Sequence, residues 1–289
     1  MILTVLVAAA GVYLLLCLLV YLFQDRLIFL PSRDIEITPD QMGWRYEDIR
    51  IPVATTEYIH AWYFPADSND ITAKTVLIAH GNAGNVSHRL GTARLFLDIG
   101  ANVLLFDYRG YGCSDGQPSE ANVYADIRAA YEWLLETKQL PAQNIFLFGR
   151  SLGGAAAVEL ALQVECGGVI LESTFTSVAD IGQKLYPFLP IRLLTRTGFD
   201  SIAKIGRLNC PVLVAHSPVD ELIPYQMGRA LFEAAREPKL FFEMQGGHNE
   251  LASMDNELYR KTLSGFLAGN PALYTRPAER NLPGGSQTD

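Results

Sequence analysis

The sequence predicts a doubly wound α/β domain on a mostly parallel sheet, carried behind one transmembrane helix. Three observations predict it. The first 23 residues, MILTVLVAAAGVYLLLCLLVYLF, hold no charge. Short, nearly continuous apolar runs recur through the rest of the chain, as in strands buried on both faces. Amphipathic helical patterns alternate with those runs, the rhythm of a sheet with helices on both sides.

A helix of 23 residues spans about 34 Å, enough to cross a hydrocarbon core of about 30 Å. No basic segment precedes it and no A-x-A-like site follows, so an uncleaved anchor over 1–23 fits better than a signal peptide. Positive charge near the span falls only on its C-terminal side, at Arg26 and Arg33, which places the following domain in the cytoplasm. A short amphipathic link is expected over 24–40 and a folded domain over 41–269.

Within the domain, YEDIRIPV (46–53) and EYIHAWYF (57–64) read as a β-hairpin rich in aromatic and β-branched residues. Buried strands follow at TVLIAH (75–80), ANVLLFD (101–107), NIFLFG (144–149), GGVILE (167–172), PVLVAH (211–216) and KLFFEM (239–244). Helices are expected at about 86–99, 119–136, 152–165, 224–236 and 250–267. In the second of these Ser119 is placed as N-cap, and Val123, Ile127, Ala130, Tyr131 and Leu134 recur at three- and four-residue steps. Residues 173–208 form a longer, cap-like insertion between two strands, and 270–289 read as a frayed tail.

Composition narrows the function classes. The 289 residues are 49% hydrophobic and 19% charged, with a net charge of −8. No Lys/Arg-rich run is present, which argues against nucleic-acid binding. Cys17, Cys113, Cys166 and Cys210 share no C-x-x-C spacing and no zinc-type cluster with histidine, and read as unpaired buried thiols. No metal or cofactor site is expected, and nothing indicates an oligomeric state.

Two segments match G-x-S-x-G: GCSDG (112–116) and GRSLG (149–153). A nucleophile on this pattern needs a strand before it and a helix after it. Ser151 has both, following NIFLF and preceding LGGAAAVELALQ. Ser114 sits among glycines and a proline in YRGYGCSDGQP, a segment of turn chemistry. Ser151 is therefore the candidate nucleophile.

A serine nucleophile needs a base, and the base an orienting acid. Of five histidines only His216 and His248 follow Ser151 in the chain. His216 ends an apolar strand and reads as structural. His248, in MQGGHNE, lies just past the last strand in a loop freed by two glycines, and is the candidate base. Asp220, in HSPVDELIP, is the preferred acid, with Glu172 at the end of an earlier strand as the alternative. An oxyanion hole would use the backbone N–H of Leu152 and a second N–H from the HGNAGN loop (80–85), Asn82 or else Ala83. The sequon Asn85-Val86-Ser87 in that loop reads as accidental.

Together these residues resemble the α/β-hydrolase superfamily. HGNAGN, DYRGYGCSDGQPSE, GRSLGG, HSPVDELIP and GGHNEL are similar to its membrane-anchored branch, which includes the bud-emergence-type hydrolases and relatives that act as protein depalmitoylases. The resemblance covers about 40–268. It implies the α/β-hydrolase fold with a short cap, a triad of Ser151, Asp220 and His248, no metal or organic cofactor, and hydrolysis of acyl esters or thioesters. Those depalmitoylases carry a Cys-rich, lipidated N-terminal segment, whereas this chain has a hydrophobic helix with one cysteine.

A hydrophobic acyl substrate, taken from a membrane-near ester or thioester, is the expected ligand. LYPFLPIRLL (185–194) lies in the insertion, above the carboxyl ends of the strands where ligands of such sheets bind. Phe188, Leu189, Ile191, Leu193 and Leu194 are expected to line an acyl pocket or to dip into the membrane interface. A serine peptidase on the same fold, or a non-catalytic membrane-tethered interaction protein, are the alternative readings.

Overall fold

A computed structural model describes residues 1–66, 73–249 and 257–273. Its central sheet has eight strands: β1 (Glu47–Pro52), β2 (Tyr58–Phe64), β3 (Thr75–Ala79), β4 (Asn102–Phe106), β5 (Ile145–Arg150), β6 (Gly168–Glu172), β7 (Val212–His216) and β8 (Lys239–Glu243). Their order across the sheet is β8-β7-β6-β5-β3-β4-β2-β1. Only β2 runs against its neighbours, pairing antiparallel with β1 and β4; all other pairs are parallel. The expected hairpin and the expected parallel strands are thus parts of one sheet.

The helices are α1 (Ile2–Ile28), α2 (Leu90–Asp98), α3 (Glu120–Glu136), α4 (Leu152–Ala161), α5 (Val178–Leu185), α6 (Ile191–Leu194), α7 (Ile202–Ile205), α8 (Tyr225–Ala234) and α9 (Glu257–Leu267). Successive strand residues face opposite sides, and both sides are apolar because both are covered. Leu77, Leu104, Leu147, Val169 and Val214 join the core under α3 and α4. Val76, Ile78, Leu105, Phe148 and Ile170 join a second core with α2 and α9. Ser119 caps α3 by accepting from the Asn122 N–H at 3.2 Å, and the predicted stripe from Val123 to Leu134 is buried.

The N-terminal segment departs from expectation. The helix does not stop at residue 23 but runs to Ile28, so the first residues of the expected link, 24–28, are helical. Gln24, Asp25 and Arg26 are polar but helix-compatible, and the helix ends only where Phe29 turns extended, two residues before Pro31. The following chain packs on the domain. Leu30–Pro31 pairs in parallel with Ala83–Gly84, and Phe29 is buried.

Smaller differences follow local chemistry. The helix expected from residue 86 begins as a 3-10 turn, Val86–Arg89, and becomes α-helical at Leu90. Asn85 starts that turn, accepting from the Ser87 N–H at 2.9 Å. Asn85 is fully buried and also donates to the carbonyls of Ser32 and Asp34, which withdraws the sequon from modification. The insertion holds three short helices, α5 to α7, with Pro187 and Pro190 interrupting between α5 and α6. The four cysteines are unpaired, but only Cys17 is buried; Cys113 is exposed, and Cys166 and Cys210 are half-buried. The expected start of the last helix, 250–256, and most of the tail, 274–289, lie outside the described residues.

Candidate active site

β5 ends at Arg150 and α4 begins at Leu152, which leaves Ser151 alone on the turn. Its backbone has φ 53° and ψ −120°, a region that L-residues avoid and that costs on the order of 1–3 kcal/mol. Surrounding hydrogen bonds hold it there. The Ser151 N–H donates to the Glu172 carbonyl at 3.0 Å, and its carbonyl accepts from the Thr174 hydroxyl at 2.6 Å and the Gly154 N–H at 3.0 Å. The turn also requires glycine on both sides. A Cβ on Gly153 would stand 2.0 Å from the Ala79 carbonyl oxygen, and one on Gly149 2.3 Å from that of Gly153.

The second G-x-S-x-G serine has no such setting. Ser114 is buried, its hydroxyl accepts from the His60 N–H and donates to the Asp107 carbonyl, both at 2.8 Å. Its hydrogen-bonding capacity is spent on ordering the turn after β4.

Asp220 and His248 come together. His248 Nδ1 lies 2.9 Å from Asp220 Oδ2. The other carboxylate oxygen accepts from the N–H groups of Leu222 at 3.0 Å and Ile223 at 2.8 Å. Burial pushes the Asp220 carboxyl pKa upward, but the His248 bond and the two backbone donors outweigh it and hold the pKa below the ordinary value of 3.8. An ionised Asp220 keeps the proton of His248 on Nδ1 and leaves Nε2 free to accept one. Both Ser151 and His248 are buried, and among the described residues no hydrogen bond joins their side chains.

The alternative acid is engaged elsewhere. Glu172 accepts from the Tyr259 hydroxyl at 2.8 Å and stands 3.5 Å from Arg150 Nε. His216 is buried: its Nε2 lies 2.9 Å from the Ile223 carbonyl and 3.5 Å from Asp220 Oδ2, and burial lowers its pKa. Two residues that the sequence did not single out fix the His248 loop. Glu221 accepts from the His248 N–H at 2.9 Å, and the Arg150 guanidinium donates to the His248 carbonyl. Their only trace in the sequence is adjacency, Glu221 to Asp220 and Arg150 to Ser151.

The backbone N–H groups of Leu152 and Asn82 donate to no acceptor among the described residues. The Asn82 loop is otherwise tied down. Its carbonyl accepts from the Leu30 N–H at 2.9 Å and the Tyr111 hydroxyl at 2.7 Å, and its side chain donates to the Ile28 carbonyl at 2.9 Å. Asn82, Ser151 and Leu152 line one cavity of about 440 Å³, whereas Ala83 is the bridge partner of Leu30 and is not part of the wall. Gly81 lies against the serine, and a Cβ there would be 3.5 Å from Ser151 Cβ.

The cavity is mostly apolar. Of the five insertion residues expected to line a pocket or to dip into the membrane interface, Phe188, Leu189, Ile191 and Leu194 line the cavity. Leu193 lies outside the wall and is 84% exposed. On the single turn of α6, Ile191 and Leu194 are three residues apart and share one side, which leaves Leu193 on the other.

An acid–imidazole pair on loops that leave the sheet at the same edge as a serine on a strained strand-to-helix turn is an arrangement that can activate a hydroxyl as a nucleophile. Relatives match most of the chain. An uncharacterised protein of Mycobacterium tuberculosis is 37% identical over 251 residues, 86% of this chain and 89% of that protein. Protein bem46 of Schizosaccharomyces pombe is 32% identical over 278 residues, 91% of this chain and 92% of bem46. The alpha/beta hydrolase fold family matches residues 74–201. The chain belongs to the α/β-hydrolase family. An esterase of Pyrococcus furiosus, only 19% identical, superposes with a TM-score of 0.68 over 84% of this α/β hydrolase and 97% of the esterase. That likeness shows the common fold. In this family member the candidate nucleophile sits inside the matched segment, and the candidate acid and base lie beyond it, in the loops after β7 and β8.

Proposed function

We propose that this α/β hydrolase is a membrane-anchored serine hydrolase that cleaves carboxylic esters or thioesters of hydrophobic acyl groups. One observation carries the reading: Ser151, on its strained turn, lines a single apolar cavity together with Leu222 and Ile223, whose N–H groups hold the Asp220 carboxylate that pairs with His248. In the proposed reaction His248 Nε2 takes the proton of the Ser151 hydroxyl as its oxygen attacks the acyl carbonyl carbon. The N–H groups of Leu152 and Asn82 hold the oxyanion. His248 then gives its proton to the departing alcohol or thiol, leaving an acyl-serine. Water, deprotonated by the same imidazole, adds to that ester, and collapse releases the acid and restores the serine.

Chemistry at the rim supports esters over peptides. The wall around Ser151 is formed by aliphatic and aromatic side chains, with few polar groups to read a peptide backbone. The apolar α1, long enough to cross a bilayer, supports the membrane assignment.

The test is labelling of full-length wild type and Ser151→Ala by a fluorophosphonate probe, followed by a chain-length series of p-nitrophenyl esters. Labelling of wild type alone, with kcat/KM rising from acetyl toward octanoyl, is expected. Each methylene buried contributes about 0.8 kcal/mol, so four of them raise kcat/KM by roughly two orders of magnitude. Equal labelling of both proteins would sink the nucleophile assignment, and a steady fall from acetyl to octanoyl would sink the acyl pocket.

A further inference from the structure

The wall of the cavity is not built by the folded domain alone. Leu16, Val20, Gln24, Leu27 and Ile28 of α1 line it together with Ser151. Their spacing, four, four, three and one, places them on one stripe of the helix. From Ile2 to Phe23 α1 is apolar all round, so that run marks no such face; the face is defined by what it touches. Cys17 on the same helix packs with Leu189 and Ile191 of the insertion.

Polar contacts fix this seat. Gln24 is buried at the end of the apolar run, and its side-chain oxygen accepts from the N–H groups of Arg196 at 2.8 Å and Thr197 at 3.1 Å. Its amide donates to the Leu194 carbonyl at 3.3 Å. The Thr197 hydroxyl bonds Asp25 at 3.1 Å, and at the far end the Tyr13 hydroxyl donates to the Phe188 carbonyl at 2.9 Å. Such a set of bonds specifies both the depth and the rotation of the helix against the insertion.

The depth decides what the cavity takes. Asp25 is the first charged residue, and Leu16 lies nine residues before it, about 14 Å along the helix. Half of a hydrocarbon core is about 15 Å. When α1 crosses a bilayer, the Leu16 end of the wall therefore stands at the level of the acyl tails and the Ser151 end near the headgroups. Tyr186, Phe188 and Leu193 of the insertion are exposed apolar groups on the segment that meets α1.

We propose that α1 is a wall of the acyl-binding site as well as an anchor, and that the cavity takes the acyl chain of an ester or thioester resident in the same bilayer. The substrate slides in laterally along α1, with its carbonyl at Ser151 and its chain toward Leu16. The proposal rests on the reading of Ser151 as an ester-cleaving nucleophile, but the wall itself is tested apart from it.

The experiment uses the full chain in micelles and compares p-nitrophenyl acetate with p-nitrophenyl decanoate. Val20→Trp fills the cavity from the α1 side and is expected to lower the decanoate-to-acetate ratio of kcat/KM at least tenfold. Val20→Ala enlarges it and shifts the preferred chain toward greater length. Leu14→Trp, on an exposed part of α1, leaves the ratio as in wild type. If the ratio is the same in wild type and both Val20 variants, α1 is no part of the site. If wild type cleaves neither ester, the reading of Ser151 fails, and the wall is then judged in Ser151→Ala. There decanoate ester should raise Tm, and Val20→Trp should abolish the rise; a rise that survives Val20→Trp overturns the proposal.

Discussion

His248 Nδ1 stands 2.9 Å from Asp220 Oδ2 across 28 residues of chain. The pair joins the loop after β7 to the loop after β8, and both loops leave the sheet at the same edge as the β5–α4 turn that carries Ser151. Parallel strands bring this about: each ends on the same side, so residues just past three strand ends become neighbours.

Ser151→Ala should abolish ester hydrolysis, whereas Ser114→Ala should keep the kcat of the folded protein. Ser114→Ala should instead cost about 1–3 kcal/mol of stability, because the buried His60 N–H and Asp107 carbonyl lose their partner. Equilibrium urea unfolding and ester kinetics on the same preparations check both halves.

Asp220→Asn should lower kcat by up to about 10⁴-fold, since the amide no longer holds the imidazole tautomer that leaves Nε2 free. Glu172→Gln should act chiefly on stability, through Arg150 and the Tyr259 hydroxyl. Steady-state kinetics of the purified variants, with circular dichroism to confirm folding, rank the two carboxylates; the reverse ranking would make Glu172 the acid.

Acid should destabilise the protein partly through Asp220. Its pKa is lower in the fold than the ordinary 3.8, so its contribution to stability is present above that value and is lost as pH falls through the folded pKa. Thermal unfolding of wild type from pH 5 down to pH 3 should therefore be steeper in pH than that of Asp220→Asn. Parallel curves would show that the carboxylate is not ionised preferentially in the fold.

Glycine substitutions should separate folding from chemistry. Gly153→Ala places a Cβ 2.0 Å from a backbone oxygen and should prevent accumulation of folded protein. Gly81→Ala meets Ser151 Cβ at an ordinary 3.5 Å and should fold, with kcat/KM reduced by crowding at the nucleophile. Soluble yield in detergent and activity per folded molecule distinguish the two effects.

The domain should face the cytoplasm, because the basic residues flanking the apolar run, Arg26 and Arg33, lie on its C-terminal side. Protease added to intact cells should spare the domain and digest it after lysis. Digestion without lysis would reverse the topology.

By itself the sequence determined the elements and their chemistry. Apolar runs of strand length, separated by helical stripes, specify a parallel sheet because only covered strands are apolar on both faces. The strand-turn-helix context around Ser151 was equally local, since the Gly149 and Gly153 contacts arise within one βα unit and its neighbouring strand. Chain order after Ser151 left two histidines and two acids, and the position of each loop favoured His248 over His216 and Asp220 over Glu172. The tertiary structure sets their partners apart, turning Glu172 toward Arg150 and Tyr259 and bringing Asp220 to His248. It also decided the roles of Arg150 and Glu221 and the outward face of Leu193. Above all it decided the place of α1. A helix apolar on every side carries no periodic signal of which side is covered, so its seat against the insertion and the Ser151 cavity is set by long-range contacts of Gln24, Asp25 and Tyr13 that no local pattern encodes.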